Sequence, residues 1–390
     1  MYKQIATSLL GIGVADKDLT HFENQYPLTE GVTYNSYVVT DGGCTAVIDA
    51  VDRRRGAEWL EHLKAAAPDG VDYLVVQHME PDHSAMIAEF MVMYPQAKIV
   101  ASLQAVKMMQ QFFPDYDFTG RTITVKEGST LEVGSRTLTF YTAAMVHWPE
   151  VIVTYDAATG TLFSADGFGT FGTSDSFEAL WPDEARRYYA NIVGKYGPQV
   201  SRVLDKLATL DGLKRVCTLH GPVLEGDNLA EALRLYRLWS AYKPELPEGV
   251  LVAYSSIYGH TADVALRLAT MLEEKGVAVT TVDLCRRDQS EAVAEAFRMG
   301  RIVVAAPTYD GGMFPAMHNF LYHLQIKALR GRRFGIIENG SWAPVAGKAM
   351  ASMISELKDC EVVEPVVTIK SAPDASTPAA LEALAAAIMA

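Results

Sequence analysis

The sequence has few cysteines and no cysteine pair of the kind that holds a metal cluster. Its four cysteines, Cys44, Cys217, Cys285 and Cys360, are scattered over 390 residues without a C-x-x-C spacing. This distribution argues against a disulfide scaffold, a zinc ribbon and a rubredoxin-type iron module within this chain. Scattered cysteines are typical of a reducing compartment, and we therefore expect a cytoplasmic protein.

Long apolar runs and long basic runs are also missing. No window reaches the about 18 consecutive apolar residues that a membrane span needs. The apolar start Met1–Val14 is followed at once by Asp16 and Asp18, which is untypical of an export signal. The net charge is −13, and the densest basic stretch, Arg53–Arg55, has acidic neighbours. We therefore expect no binding to nucleic acid or to an anionic membrane surface.

One proline-containing connector divides the chain. The amphipathic stretch Asn228–Tyr242 predicts a helix that runs into residues 243–249, KPELPEG. Two prolines and a glycine in that segment disfavour helix and favour an extended linker. We expect residues 1–245 to form one domain and residues 249–390 a second.

The second domain has the regular alternation of a parallel sheet. Strands are predicted at Val250–Tyr254, Val277–Leu284, Ile302–Ala306, Phe334–Glu338 and Val362–Ile369. Helices are predicted at Thr261–Lys275, Ser290–Met299, Ala316–Ala328, Gly347–Leu357 and Pro378–Met389. Such alternation predicts βαβ units and a doubly wound sheet with helices on both faces.

The first domain is predicted to be a mixed α/β layered domain. Tyr34–Asp41 and Cys44–Asp49 predict a hairpin around Gly42 and Gly43, and Gly56–Ala66 predicts a helix. Further strands are predicted at Leu74–Val76, Ile99–Ala101, Leu138–Thr142, Val151–Tyr155, Thr161–Ser164 and Arg215–Thr218.

The densest group of potential metal ligands lies in residues 77–83, QHMEPDH, directly after a predicted strand. Pro81 restricts the backbone here, so we expect His78, Glu80 and Asp82 to project to one side of an extended loop. His83 then precedes a helix that is expected to begin near Ser84. Packing alone gives no reason for four such side chains within six residues.

Three further polar residues, His147, Asp166 and His220, each follow a predicted strand. A layered α/β fold gathers its site loops beyond strand ends, so we expect all seven side chains to meet. Four imidazoles and three carboxylates without a thiolate suit iron, zinc or manganese in two centres. The positive charge of two ferrous ions is neutralised by the three carboxylates together with one hydroxide. The carboxylate of Glu80 favours a redox-active iron pair over zinc.

A second candidate site is formed by three loops that follow strands of the second domain. Hydroxyls and backbone N–H groups at a helix start predict an anion pocket in the first loop, and aromatics in the other two are suited to flank a flat ring. The loops contain Ser255, Ser256, Ile257, Tyr258, Gly259, His260 and Thr261; Pro307, Thr308, Tyr309, Asp310, Gly311 and Gly312; and Asn339, Gly340, Ser341, Trp342 and Ala343.

The ligand set is similar to the H-x-H-x-D-H motif of the metallo-β-lactamase superfamily, with Glu80 in place of the second histidine. With that replacement the set resembles the flavodiiron proteins, which implies an αββα first domain. By this resemblance one iron would be bound by His78, Glu80 and His147, the other by Asp82, His83 and His220, and Asp166 would bridge them.

Residues 250–390 resemble short-chain flavodoxins, which implies strand order 2-1-3-4-5 and bound FMN. The loop 255–261 would hold the phosphate, and loops 308–312 and 339–343 would line the isoalloxazine. The sequence of the third loop, 339–343, departs from the commoner flavodoxin sequence. Residues 188–196 resemble the family's approach to the iron pocket, where Tyr196 either donates protons or only packs.

The resemblance implies a terminal oxidoreductase that reduces O2 to water, NO to N2O, or both. It also implies a rubredoxin or similar electron donor and a head-to-tail homodimer or dimer of dimers. A zinc hydrolase of the metallo-β-lactamase type with an accessory flavodoxin-like domain is the alternative. A third hypothesis is an electron carrier with a vestigial metal domain.

Overall fold

The computed structural model describes residues 2–173 and 177–390. By their internal contacts, the described residues divide into two units. The first contains Met1–Tyr188 and Pro198–Arg237, and the second contains Tyr189–Gly197 and Leu238–Ala390. Among the described residues, none of the helices combines the length and apolarity that crossing a bilayer requires.

The first unit is rich in short strands. They are β1 (Tyr2–Ala6), β2 (Leu9–Ile12), β3 (Val14–Asp16), β4 (His21–Phe22), β5 (Tyr26–Pro27), β6 (Val32–Tyr34), β7 (Tyr37–Asp41), β8 (Cys44–Ile48), β9 (Tyr73–Val76), β10 (Lys98–Ser102), β11 (Thr122–Val125), β12 (Thr130–Val133), β13 (Arg136–Thr142), β14 (Ile152–Asp156), β15 (Thr161–Phe163), β16 (Arg215–Cys217) and β17 (Leu224–Glu225). The helices are α1 (Gly56–Ala66), α2 (Pro81–Ser84), α3 (Ile87–Met93), α4 (Leu103–Phe112), α5 (Phe177–Tyr188), α6 (Gly197–Leu207) and α7 (Gly226–Ser240). A 3-10 turn, Arg53–Arg55, precedes α1.

Thirteen of these strands form two large sheets with a shared core, while β3 pairs with β6 and β4 with β5 in two small sheets. One sheet has the order β1-β2-β7-β8-β9-β10-β11, and the other contains β12 to β17 in chain order. Apolar side chains from both sheets, among them Ile48, Val100, Phe140 and Phe163, meet in one buried cluster. The predicted layered α/β domain is therefore confirmed as a sandwich of two sheets with helices outside.

The predicted hairpin is present as β7 and β8, although Tyr34 belongs to the preceding strand β6. Gly42 and Gly43 both have positive φ, 55° and 83°, as a two-residue type I′ turn requires. Because glycine has no Cβ, it adopts this conformation without steric cost.

The second unit contains the predicted alternation of strands and helices. The strands are β18 (Leu246–Tyr254), β19 (Val279–Asp283), β20 (Met299–Tyr309), β21 (Gly312–Met313), β22 (Arg333–Asn339), β23 (Glu361–Val362) and β24 (Val367–Ile369). The helices are α8 (His260–Glu274), α9 (Gln289–Arg298), α10 (Pro315–Ile326), α11 (Ala346–Ser355) and α12 (Thr377–Met389). A π-helical turn, Tyr189–Val193, and a 3-10 turn, Gly194–Tyr196, belong to this unit.

The sheet of this unit has the order β19-β18-β20-β22, and both β23 and β24 pair with β22. Numbered within the unit, this is the predicted parallel order 2-1-3-4-5. Helices α8 and α12 cover one face of the sheet, and α9, α10 and α11 also contact its strands. The fold class is therefore confirmed for the second unit too.

The prediction of one continuous strand near the end of the chain was wrong. Val362–Ile369 was expected to be a single strand, but it is divided into β23 and β24 around Glu364–Pro365. Proline has no N–H to donate to a sheet, so the ladder cannot run through it.

Candidate metal centre and C-terminal cleft

The first ligand loop leaves β9 and turns at once into helix α2. Glu80 is the extended residue before the helix and Pro81 is its first helical residue, where a missing N–H costs nothing. The expectation of an extended loop through Asp82 and a helix from about Ser84 was therefore wrong. Asp82 and His83 lie on a helical turn, which directs them away from the side that His78 and Glu80 share.

A buried aspartate that the sequence reasoning missed fixes the start of this loop. Asp49 accepts hydrogen bonds from the backbone N–H of Gln77 at 2.7 Å and from the Gln77 side chain at 2.9 Å. It also accepts a longer bond, 3.3 Å, from the backbone N–H of His78. Asp49 has a φ of 53° and directly follows β8, so its position after a strand was the available signal.

The structure brings all seven predicted ligands together in two groups. The first contains His78, Glu80, His147 and Asp166, and the second contains Asp82, His83 and His220. In the first group, the carboxylate of Glu80 lies 3.2 Å from Nε2 of both His78 and His147. In the second, the carboxylate of Asp82 lies 3.3 Å from Nε2 of both His83 and His220.

Asp166 lies between the two groups and faces each with a different oxygen. Its Oδ2 is 3.0 Å from Nε2 of His147 and 3.5 Å from Nε2 of His78. Its Oδ1 is 3.2 Å from Nε2 of His83 and 3.7 Å from Nε2 of His220. One carboxylate therefore has the geometry to bridge two cations.

Several donor atoms of the cluster lack hydrogen-bond partners within the protein, as expected of atoms that bind metal ions. Both carboxylate oxygens of Asp82 and Oδ1 of Asp166 are buried without a hydrogen bond. The Nε2 atoms of His83 and His220 face each other at 3.0 Å. Buried polar atoms are nearly always paired, and a carboxylate–imidazole set of this kind is completed by a metal ion.

The outer nitrogens of two imidazoles are held by acceptors. Nδ1 of His78 lies 2.8 Å from Oε1 of Glu150, and Nδ1 of His220 lies 2.7 Å from the carbonyl oxygen of Thr33. A proton on Nδ1 leaves the lone pair of Nε2 directed at the site. Sequence reasoning missed Glu150, although it follows His147 by only three residues.

Opposite charges shift the proton equilibria within the cluster. Burial lowers the pKa of His147, but the carboxylates of Asp166 and Glu80 outweigh burial and raise it to about 9. Burial raises the pKa of Glu80, but the imidazoles of His147 and His78 hold it well below its usual range. Protons and metal ions therefore compete for the same imidazoles, and metal binding releases protons.

Aromatic rings surround the cluster. The rings of Phe22 and Tyr188 lie 5.3 and 5.6 Å from that of His220, and Trp148 lies 5.3 Å from His78. The Tyr188 hydroxyl is buried without a hydrogen bond. Burial, together with the nearby Asp166 and Glu80, raises its pKa well above the usual value.

Tyr196 is not among the aromatic residues described above beside the candidate ligands. Tyr196 lies in the segment that belongs to the second unit, and its ring is 5.9 Å from the ammonium of Lys195. Of the two tyrosines that bound the predicted segment 188–196, Tyr188 is the one whose ring lies beside a candidate ligand.

The three predicted loops of the second unit meet around a cleft of about 560 Å³. The predicted residues that line it are Ser256, Ile257, Tyr258, His260, Thr261, Pro307, Thr308, Asp310, Gly311, Asn339, Gly340, Ser341, Trp342 and Ala343. Val345 and Ser371 also line it and were missed, since neither lies in the three loops that were considered.

Four predicted residues do not line the cleft. Ser255 is buried beneath the first loop, and Gly259 precedes helix α8 with a φ of 99°. The Tyr309 ring packs against that of Phe314, with 5.4 Å between the ring centres, and Gly312 lies in the short strand β21. Trp342 lines the cleft, whereas the prediction that Tyr309 flanks a bound ring stays a prediction.

The cleft combines an anion pocket with an apolar wall. Hydroxyls of Ser256 and Thr261 lie at the N-terminus of α8, where backbone N–H groups and the helix dipole favour a phosphate. The Trp342 side chain is 83% exposed at the opposite loop. A cleft of this size and lining fits a ligand of mononucleotide dimensions.

Both units match known protein families. Residues 32–195 match the family described as ODP family beta lactamase, and residues 251–363 match a flavodoxin domain. The rubredoxin-oxygen oxidoreductase of Megalodesulfovibrio gigas is 28% identical over 88% of this chain and 87% of its own length. The nitric oxide reductase of Moorella thermoacetica is 27% identical over 95% of this chain and 93% of its own.

Solved structures agree with this relationship. The structure of rubredoxin oxygen:oxidoreductase from Desulfovibrio gigas superposes with a TM-score of 0.92 at 27% identity, covering 100% of this chain and 98% of that one.

The chain also matches diflavin flavoproteins of Nostoc, Thermosynechococcus vestitus and Synechocystis, of which it spans only 64%, 64% and 50%.

The fold and the site together define a class of protein, in which a metallo-β-lactamase-like unit is joined to a flavodoxin-like unit. The matches to both family models, and the similarity to rubredoxin-oxygen oxidoreductase over nearly the whole chain, agree with the resemblance to flavodiiron proteins that the sequence predicted.

Proposed function

We propose that this chain is a terminal oxidoreductase that reduces O2 to water, NO to N2O, or both. The observation that carries the proposal is the pair of ligand groups joined by Asp166, with a carboxylate at position 80. The relatives named above as oxygen oxidoreductase and nitric oxide reductase support it.

In this proposal the seven clustered residues would hold two non-haem iron ions. His78, Glu80 and His147 would hold one ion, Asp82, His83 and His220 would hold the other, and Asp166 would be shared between them. The C-terminal cleft would hold FMN, with Ser256–Thr261 holding its phosphate. When bound, the iron pair and FMN supply two electrons each, which matches four electrons and four protons per O2, or two of each per two NO.

The chain's own residues then orient ligands, exclude water and supply a proton donor. Glu150 and the Thr33 carbonyl hold the imidazoles of His78 and His220 in one orientation. Phe22 and Trp148 cover the cluster, which keeps bulk water away from it. The Tyr188 hydroxyl remains protonated and has no partner within the described protein, so it is available to donate to an oxygen of the reacting gas.

Electrons are proposed to arrive from a rubredoxin or a similar donor, which the name of the related rubredoxin-oxygen oxidoreductase supports. We also propose a head-to-tail homodimer, or a dimer of dimers, in which the FMN of one subunit serves the irons of the other. Tyr258 and Trp342, which are 92% and 83% exposed at the cleft, support a protein partner there. The four free cysteines support a cytoplasmic location.

The experiment that tests this proposal combines composition with a single turnover. Protein purified after iron-replete expression should contain about two irons and one FMN per chain. The reduced protein, mixed anaerobically with O2 or with NO, should consume each substrate gas in proportion to its stored electrons. Stoichiometric zinc, no iron and hydrolytic activity would instead establish the zinc hydrolase.

A further inference from the structure

The first unit contains a small apolar cavity directly behind two of the ligand loops. One wall contains Val146, the residue before His147. Gly167 and Phe168, which follow Asp166, form the adjoining wall. The cavity has a volume of about 20 Å³, which is room for one small molecule. It therefore lies next to the metal centre in the fold without containing any ligand atom.

The remaining walls come from elements that carry no candidate metal ligand. Val153 lies on β14, Leu162 on β15, and Val200 and Leu204 on α6. Every residue of the lining is buried except Val203 on α6, which is half-buried. The wall formed by α6 is therefore the least covered one, and it carries no candidate metal ligand.

Among the described residues that line the cavity, only Ser164 and Tyr236 carry a side-chain hydroxyl. The Ser164 hydroxyl donates to the carbonyl oxygen of Gly167 at 2.7 Å, and the Tyr236 ring packs on that of Phe168 with 4.2 Å between the ring centres. A water molecule needs two to four polar partners, so a void with this lining stays dry. An apolar diatomic molecule loses no hydrogen bonds on entering it.

We propose that this cavity binds the substrate gas, O2 or NO, immediately before it reaches the metal centre. The inference rests on the proposed function and adds a second binding position to it. A dry site next to the ligand loops raises the local concentration of an apolar gas while it excludes water. Its loss should therefore weaken gas capture and leave the chemical step unchanged.

Occupancy is tested with xenon, which probes dry apolar cavities and needs no turnover. Crystals of the holoprotein under xenon pressure should show one xenon atom between Val146, Phe168 and Leu204. Val200→Ile, which adds one methylene from α6, should abolish this xenon. Val153→Ile fills the same space from the sheet, so the test survives if one variant folds poorly. Val100→Ile, at a buried valine outside the lining, is the matched control.

Capture is tested by steady-state gas consumption with the same three variants. Removing an apolar site that contributes as much as one buried methylene, about 0.8 kcal/mol, should raise KM for the gas about fourfold. The kcat should not change, because the interaction is not specific to the transition state. Val100→Ile should keep the wild-type KM.

Two results would overturn the inference: no xenon in this cavity of the wild-type protein, or an unchanged KM in filled variants that have lost their xenon. Neither affects the proposed function, which depends on iron, FMN and gas consumption by the wild type. If the wild type binds xenon but consumes neither gas, the proposed function fails, and the cavity loses its proposed role with it.

Discussion

Glu80 distinguishes this ligand set from an imidazole-rich zinc site. Its carboxylate lies 3.2 Å from two imidazoles of the first group, and burial leaves little solvent to compensate its charge. A third carboxylate partly neutralises a pair of ferric ions, which an additional imidazole does not. The identity of this one side chain therefore bears directly on which metal the site prefers.

We expect Glu80→His to retain FMN, lose much of its iron and bind zinc more readily, because one negative charge is replaced by a neutral, softer ligand. Metal analysis, the flavin absorbance and gas consumption measure the three effects. Turnover of O2 and NO should be lost, while the flavin is still reduced by its donor.

The exposed residue Glu58 on α1 provides the control, since Glu58→His makes the same change of charge and size outside both ligand groups. Unchanged iron content and unchanged turnover in Glu80→His would show that Glu80 does not bind metal.

Two tyrosines at the ends of one segment permit a direct comparison. Tyr188 has a buried hydroxyl near the carboxylates of the cluster, whereas Tyr196 is half-buried beside Lys195. Tyr188→Phe should lower kcat about a hundredfold, the lower range for loss of a positioned proton donor. It should leave iron content unchanged and alter the free energy of unfolding by less than about 1 kcal/mol, because the hydroxyl has no protein partner to lose.

Tyr196→Phe is the paired variant, and its kcat should equal that of the wild type. Equal losses in both variants, or a loss in Tyr196→Phe alone, would contradict the assignment of the proton donor to Tyr188. Loss of iron in Tyr188→Phe would instead indicate a structural role for the hydroxyl.

At the scale of elements, the start of helix α2 decides how the ligands divide. Successive residues of a strand alternate between two sides, whereas successive residues of a helix turn by about 100°. The change from one to the other at Pro81 separates His78 and Glu80 from Asp82 and His83. A loop of seven residues thereby contributes two side chains to each ligand group.

Elements near the connector also belong to the second unit. Arg332 donates hydrogen bonds to the carbonyl oxygens of Tyr242 and Phe297, and Trp239 is fully buried. The predicted boundary between residues 245 and 249 remains our proposal for where the first domain's polypeptide ends. However, the contacts of Trp239 and Tyr242 described here are with other residues of the flavodoxin-like unit.

We expect a fragment of residues 238–390 to be more stable than one of residues 249–390 by about 3 kcal/mol, because the shorter piece lacks the buried Tyr242, whose ring packs near Phe297 and whose carbonyl oxygen accepts from Arg332. Urea unfolding measures the difference, and flavin fluorescence should show FMN in both fragments. Equal stabilities would show that residues 238–248 contribute no packing. Insoluble, flavin-free product from both fragments would contradict the boundary itself.

At the scale of the whole molecule, the proposed dimer makes activity depend on two chains. Glu80→His should disable the metal site and spare the flavin. Ser256→Asp should have the opposite effect, because it places a negative charge where the FMN phosphate is proposed to lie.

Mixed after subunit exchange, the two inactive variants should regain gas consumption, since a head-to-tail heterodimer contains one intact flavin beside one intact iron pair. Each variant alone provides the control and should stay inactive. An inactive mixture that contains heterodimer by mass spectrometry would show that each subunit serves its own irons.

The sequence by itself determined the elements and the chemical character of both sites. Strand and helix periodicities are local, so the βαβ pattern and the order of elements follow from short stretches of sequence. The seven candidate ligands follow strand ends, and the three flavin loops do the same. Their residue types alone excluded thiolate ligation and indicated a carboxylate–imidazole metal site.

Only the tertiary structure decided which of these groups face one another. Glu150 contacts His78 across 72 positions of sequence, and Thr33 contacts His220 across 187. Asp166 lies between the two ligand groups because separate loops converge on it. The ring of Tyr188 lies beside His220, whereas Tyr196 belongs to the second unit. Contacts between residues so distant in sequence depend on how the sheets pack, and local sequence patterns do not predict that packing.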